Sequence, residues 1–324
     1  MLNIRGLTLL RELHHRGTLA AVARELHYSP SAVSHQLSQL EKEAGVPLLE
    51  TVGRGVRLTD AAQRLVERTG EVLDILDSAE SELAATRAGG SGAGGRGGGA
   101  VGTLRVTSFQ SAMASILPTA LSMVNRRHPQ LNVEIYHREV GEAFDGVIAH
   151  SFDLMLGDEF PGQPEPVRPG LHREELFADP MLLVLPASGR WALPADDLGD
   201  LGGLGALADA PWMLEPASMP CGRWMRAVLR EAGVEPRVTC ETADPILRAH
   251  MARTGHGVTM IPALLAGPYL DDTQALSMPG SPHRRLFTAV REGYAAHPGV
   301  RAFRAALLAA ARRESPDSGE LDEL

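Results

Sequence analysis

The chain has 324 residues, a formal net charge of −9 and 44% hydrophobic residues, enough apolar material for two or three globular cores. No apolar run approaches the roughly 20 residues a membrane helix needs, and Met1 to Arg16 scatters charge through an amphipathic pattern instead of a secretory signal, so a cytoplasmic protein without a membrane partner is expected. Two cysteines, Cys221 and Cys240, neither staple such a chain nor build a zinc site, and the twelve histidines show no ligand spacing, so neither metal nor cofactor is expected.

In chain order, Leu7, Leu9, Leu10 and Leu13 make one face of a first helix closed by Arg16 and Gly17. Thr18 can cap a short second helix running to Leu26. Ser29 and Pro30 then form a cap and first-turn pair, because proline's fixed φ suits the helix position that needs no backbone donor. In the third helix Val33, Leu37 and Leu40 bury one face, while Ser31, Ser34, His35 and Ser38 point outward. Such a row of short polar groups suits either a solvated helix face or base and phosphate contacts in a major groove. The run 46–49, the turn Gly53-Arg54-Gly55 and the run 56–58 read as a two-stranded wing with Arg54 at its tip, where a narrow minor groove attracts arginine. Residues 1–58 hold seven basic side chains against five acidic ones, a weak basic balance, so the motif and not the charge carries a nucleic-acid reading.

Thr59 and Asp60 open a long helix in which Leu65, Thr69, Val72, Leu76, Ala79 and Leu83 recur at spacings of four and three. The simplest partner for this stripe is the same stripe of a second copy, which makes Leu65, Val72, Leu76 and Leu83 dimerisation candidates; packing on its own domain is the alternative. Nine of the fourteen residues from 89 to 102 are glycine, which predicts a flexible linker between two independent folding units. Beyond it, strands at 104–109, 131–137 and 154–157 alternate with helices at 116–127 and 142–150, implying a parallel sheet. Further strands are expected at 181–185, 212–214, 238–241 and 257–261, with a helix at 222–231, and the polar end from 314 onward is expected to fray.

The runs Leu19-Ala-Ala-Val-Ala-Arg-Glu-Leu26, Ser29-Pro-Ser-Ala-Val-Ser-His-Gln36, Leu40-Glu41, Gly45-Val-Pro-Leu-Leu49, Gly53-Arg54 and Leu58-Thr59 resemble, without a gap, the DNA-binding domain of LysR-type transcriptional regulators. By that resemblance Ser31, Ser34, His35 and Arg54 are the positions expected to touch DNA, and Thr51, where the family often has arginine, removes one phosphate contact. A more diffuse similarity, through Leu104-Arg-Val, Arg127-His-Pro129, Phe152-Asp-Leu154 and Gly255-His-Gly-Val-Thr-Met-Ile-Pro262, continues into the family's effector-binding domain.

The implied fold is a winged helix-turn-helix, rich in α-helix, followed by a two-lobed α/β domain like the periplasmic solute-binding proteins. Its parts are a DNA-binding domain at 1–60, a dimerisation helix at 61–88, a glycine-rich linker at 89–102, an effector-binding domain at 103–312 and a tail at 313–324. The first lobe is expected at 103–180 and 268–312, and the second at 181–267. Ser108, Phe109, Gln110 and Ser111 follow the first strand and open a helix, which suits either an anion at the positive helix end or a plain cap by Ser111. By family position Val140, Gly141, Glu215, Ser218, Met219, Thr242 and Asp244 complete the expected effector contacts. The implied partners are double-stranded promoter or operator DNA, a small anionic metabolite, RNA polymerase, and further copies of the chain as dimer and tetramer. Cys221, at a helix start, leaves a redox-responsive regulator as one alternative; a solute-binding protein that does not bind DNA is another. Nothing resembles a catalytic triad, a phosphate loop or a paired-carboxylate motif, so no enzyme is expected.

Overall fold

The computed structural model describes residues 1–25, 28–53, 55–89, 99–193 and 201–314. Helix α1 (Ile4–Arg16) starts where the Asn3 side chain accepts from the Gly6 N–H and stops at Gly17, whose left-handed backbone suits glycine. Helices α2 (Leu19–Glu25) and α3 (Pro30–Ala44) pack on it around Leu10, Leu13, Val22, Val33, Leu37 and Leu40. Ser29 caps α3 by accepting from the Ala32 N–H, with Pro30 in the first turn as its sequence implies. Strands β1 (Leu49–Val52) and β2 (Gly55–Leu58) pair antiparallel, Leu49 opposite Leu58. The Glu41 carboxylate accepts from the Leu48 and Leu49 N–H groups, which fastens this wing to α3.

Helix α4 (Asp60–Gly89) is capped by Thr59, whose Oγ1 accepts from the Ala62 N–H. Its buried stripe is Ala62, Val66, Thr69, Leu73, Asp77 and Ser81, at spacings of three and four that keep one face inward. The first two residues join the core of the N-terminal module, and the later ones run along α1 and the turn Glu292–Tyr294 of the C-terminal body. Gly293 lies so close to α4 that a Cβ there would strike the Asp74 carbonyl and the Ser78 hydroxyl. The expectation of two units isolated by a glycine linker is therefore corrected: α4 itself docks on the second unit. Of the expected seam, Val72 and Leu83 are exposed and Leu65 and Leu76 are half-buried.

The C-terminal body has two lobes threaded by one strand. In the first, β3 (Gly102–Ser108) lies between β4 (Leu131–His137) and β5 (Leu154–Glu159), parallel to both. Helices α6 (Ile116–Arg127) and α10 (Pro298–Glu314) cover one face and α7 (Val140–Ile148) the other. Strand β6 (Leu171–Pro186) serves both lobes: 171–180 pair with β11 (His283–Arg291), and 181–186 pair with β9 (Thr259–Pro262) and β10 (Thr273–Ser277). The second lobe adds β7 (Pro211–Leu214) parallel to β8 (Arg237–Glu241), with α8 (Pro220–Glu231) and α9 (Pro245–Arg253). The sheet is thus mixed rather than parallel, because β11 returns antiparallel between β5 and β6. The lobe boundary expected at 268 also shifts, since β10 pairs with the second-lobe half of β6 and the return crossing follows it. Among the described residues no helix is long and apolar enough to cross a membrane.

Candidate functional site

On α3, Val33, Leu37 and Leu40 are fully buried, which turns Ser31, Ser34 and His35 to the surface. Ser31 is engaged locally, its Oγ 2.9 Å from that of the cap Ser29. Arg54, expected at the wing tip, lies outside the described residues; Gly53 before it has a φ of 60°, as a tight turn requires.

Between the lobes lies a cavity of about 380 Å³, within the usual range for small-molecule sites. Phe109, Gln110, Ser111, Val140 and Gly141 line it from the first lobe, and Glu215, Ser218 and Met219 from the second. Three expected contacts do not line it. Ser108 is buried at the end of β3 with its hydroxyl turned toward the Phe109 carbonyl. Thr242 offers its carbonyl to Arg248 at 2.6 Å, and Asp244 caps α9 by accepting from the Ile246 and Leu247 N–H groups.

Ser111 neither opens nor caps its helix. Helix α5 (Gln110–Ala114) spans five residues behind Phe109, which makes no side-chain cap. The Ser111 hydroxyl instead accepts from Arg284 Nη2 at 2.9 Å. Arg284, buried at the start of β11, also pairs with Asp158 at 2.9 Å and Asp179 at 2.7 Å. Since Asp179 sits in β6 where the lobes meet and accepts from the Leu264 N–H, this cluster ties the hinge together. Burial pushes both carboxyls up, and Arg284 pulls them back.

Sequence reasoning missed Glu139, Asp158, Glu165, Arg248 and Arg284 on the cavity wall. Glu215 is pushed up to about 7 by burial; Arg248 opposes this, while Asp158 and Glu139 add to it. Glu139 and Glu165 are likewise raised, first by burial. Gly222, pressed onto the Pro216 carbonyl, seats the first turn of α8 and places Cys221 beside Glu215. Cys221 is buried, and burial with the Glu215 charge raises its thiol pKa, the reverse of what a reactive helix-start cysteine needs.

A second polar cluster joins α4 to the body. Arg291 donates to Asp77 and to the Val147 and Phe152 carbonyls, and lies 3.6 Å from Asp153. His150 Nδ1 is 3.7 Å from Asp77, and burial with Arg291, Arg11 and Arg105 holds the imidazole neutral, pushed down to about 2. Asp74, Asp77 and His150 have the proximity of metal ligands, but the surrounding guanidiniums disfavour a cation there.

Comparison with known proteins bears on both halves. The family model for the bacterial regulatory helix-turn-helix protein of the lysR family matches residues 4–63, and that for the LysR substrate binding domain matches residues 97–312. ClcR, an HTH-type transcriptional regulator of Pseudomonas putida, is 28% identical over 256 residues, covering 77% of this chain and 79% of that one. A probable hydrogen peroxide-inducible genes activator of Streptomyces viridosporus is 29% identical over 322 residues, 91% of each chain. The fold is similar to that of full-length OxyR from Pseudomonas aeruginosa, with a TM-score of 0.65 at 18% identity over 95% of this chain and 98% of that one. The chain belongs to the LysR family of transcriptional regulators, which bind DNA through the N-terminal module and a small-molecule effector through the C-terminal domain.

Proposed function

We propose that the effector binds in the cavity between the lobes, and that its binding reaches DNA through α4. The observation that carries this reading is one 380 Å³ cavity walled by both lobes and by the hinge residue Arg284, in a body on which α4 is directly docked. A ligand there changes the angle between the lobes, and α4 moves with the first of them. Two copies pair through the outward stripe of α4 and pairs assemble into tetramers, so the spacing of paired modules on an operator, and the bend of the DNA, depend on the ligand. Within each module Ser31, Ser34 and His35 face the major groove and Arg54 the minor groove. The chain acts by binding and not by catalysis, as the regulators it resembles do.

Gly141→Trp tests this reading, since nothing lies within 4 Å of a Cβ built there and the indole would fill the cavity. Footprinting on the DNA upstream of the chain's own gene should show an altered protected length for the variant and wild-type secondary structure. An unchanged footprint would separate the cavity from regulation. A redox reading through Cys221, suggested by the name of the Streptomyces relative, is opposed by the burial of that thiol and the carboxylate beside it.

A further inference from the structure

The side chains around the cleft carry a charge that its ligand must answer. Glu139, Asp158 and Glu165 from the first lobe and Glu215 from the second share one cavity with two guanidiniums, Arg248 and Arg284, and the His137 imidazole, whose charge acts on Glu139. Arg284 is committed largely to internal partners. Its Nε, Nη1 and Nη2 donate to Asp179, Asp158 and Ser111, so two carboxyl groups share one cation. Glu139 has no ion-pair partner among the described residues and, though it precedes α7, makes no cap hydrogen bond. Glu215 meets Arg248 only at 3.5 Å.

Arg248 provides an independent observation. It is 1% exposed, yet its Nε–H has no partner, while Nη1 is held by the Thr242 carbonyl. An unmade guanidinium N–H costs about 1–3 kcal/mol or more when buried; Arg248 lines the cavity and its Nη2 makes no hydrogen bond to any described residue, so this side chain favours a ligand that brings an acceptor oxygen to Nη2. The wall therefore asks for two things at once: a cation for Glu139 and Glu215, and an acceptor for Arg248.

Resting on the reading of this cavity as the effector site, we infer that its ligand is a small molecule bearing a protonated amine and an acceptor oxygen, as an amino acid or amino alcohol does. The ammonium lies between Glu139 and Glu215, the acceptor meets Arg248, and Phe109 and Phe160 enclose the carbon skeleton. Glu139 and Glu215 belong to different lobes, and closing the empty cleft brings the two carboxyls together with no cation between them. An ammonium between them favours the ionised form of both and draws the two walls together, so binding and closure are coupled. A simple carboxylate or dicarboxylate brings no such cation.

The test is calorimetry and thermal shift on the full chain with two matched panels. One holds the twenty protein amino acids and C3 to C6 amino alcohols; the other holds the corresponding 2-oxo acids and dicarboxylates. Binders are expected only in the first panel. Glu139→Gln should weaken them at least about tenfold, equivalent to about 1.4 kcal/mol, and Glu215→Gln should act in the same direction. Glu142→Gln, exposed on α7, serves as the folding and surface-charge control. Binding by the second panel but not the first overturns the charge assignment and leaves the cavity as the effector site. An amine that binds wild type and both glutamine variants equally sits elsewhere and overturns the cavity reading itself. A first panel without binders overturns the inference.

Discussion

Asp77 of α4 and Arg291 at the end of β11, 214 positions apart in sequence, form a buried ion pair with Arg291 Nε 2.5 Å from Asp77 Oδ2. The pair puts a charge of the linker helix into the floor of the effector domain, where Arg291 also holds the end of α7 through the Val147 carbonyl and the loop leading into β5 through the Phe152 carbonyl. Any shift of the first lobe is therefore felt directly by the helix that carries the DNA-binding module. Removing one partner of a buried pair leaves an uncompensated charge and costs about 3 kcal/mol. Asp77→Asn should accordingly loosen α4 on the body, seen as faster amide exchange over residues 70–84 and altered DNA affinity of the ligand-free protein. Wild-type exchange in this variant would assign the docking to the close approach of Gly293 and to the Ser81 hydroxyl, which donates to the Gly293 carbonyl at 3.1 Å.

The sequence exposes periodic elements well and charged ones poorly. Helix α6 and strand β4 have the bounds expected from their patterns, 116–127 and 131–137. Strand β11 is invisible because Arg284, Arg285 and Arg291 interrupt its apolar pattern; two of these are buried only because Asp158, Asp179 and Asp77 arrive from distant elements. Helix α9 was legible in principle, since Asp244 and Pro245 repeat the cap-and-proline signature of Ser29 and Pro30. The acidity of the cleft was not, because it arises only when Glu139 and Glu215 are brought to one cavity by two lobes. The stripe on α4 also misled: it holds two faces, and the one carrying Asp77 turns to the chain's own body.

Glu215 sets a pH dependence whose sign follows from its surroundings. With its carboxyl pushed up to about 7, the folded chain holds a proton that the unfolded chain releases near the ordinary value of about 4.3. Its contribution is therefore most stabilising at low pH and is lost as pH rises toward 7. The facing groups are Arg248, Asp158, Glu139 and the Cys221 thiol. Between about pH 5 and 7 the Tm of wild type should fall more than that of Glu215→Gln. Parallel curves would show that the carboxyl is ionised throughout.

Cys221 should be chemically quiet. Its thiol is buried and raised, whereas Cys240 is partly exposed on β8. Iodoacetamide at neutral pH should label Cys240 at least about tenfold faster, since the thiolate is the reactive form, and Cys221→Ser should leave DNA binding unaltered by peroxide. Rapid labelling of Cys221 would restore the redox reading.

On α4, Val72, Ile75 and Leu83 are exposed at 41%, 69% and 60%, an apolar stripe on the face opposite Leu73 and Asp77. Burying it against a second copy would remove that surface from water, and a carboxylate placed in it would be costly to desolvate. Ile75→Asp should convert the chain to a monomer in sedimentation while keeping wild-type secondary structure, because Ile75 is 69% exposed and outside the buried stripe. The half-buried Leu76 is a poorer choice, since its replacement also disturbs the Asp77 cluster it borders. A dimeric Ile75→Asp protein would place self-association on another surface.

The DNA-binding face separates by what each side chain already does. Ser29 holds the Ala32 N–H and Ser31 is bonded to Ser29, so both are committed to the start of α3. Ser29→Ala should cost about 1 kcal/mol of stability, in the range of a lost cap. Ser34 and His35 lie one turn further on, exposed and with no side-chain hydrogen bond among the described residues, and are therefore available to base edges. Replacing either with alanine should leave Tm within about 0.5 kcal/mol equivalents of wild type and change which sequences are enriched from a random DNA pool, because base contacts specify. Arg54→Ala should instead weaken binding to all sequences and flatten its salt dependence, because a lost phosphate or minor-groove cation releases fewer counterions. The two patterns are distinguishable in one anisotropy series across salt. If Ser34→Ala and His35→Ala enrich the wild-type sequences with wild-type affinity, the reading head lies on another part of the module.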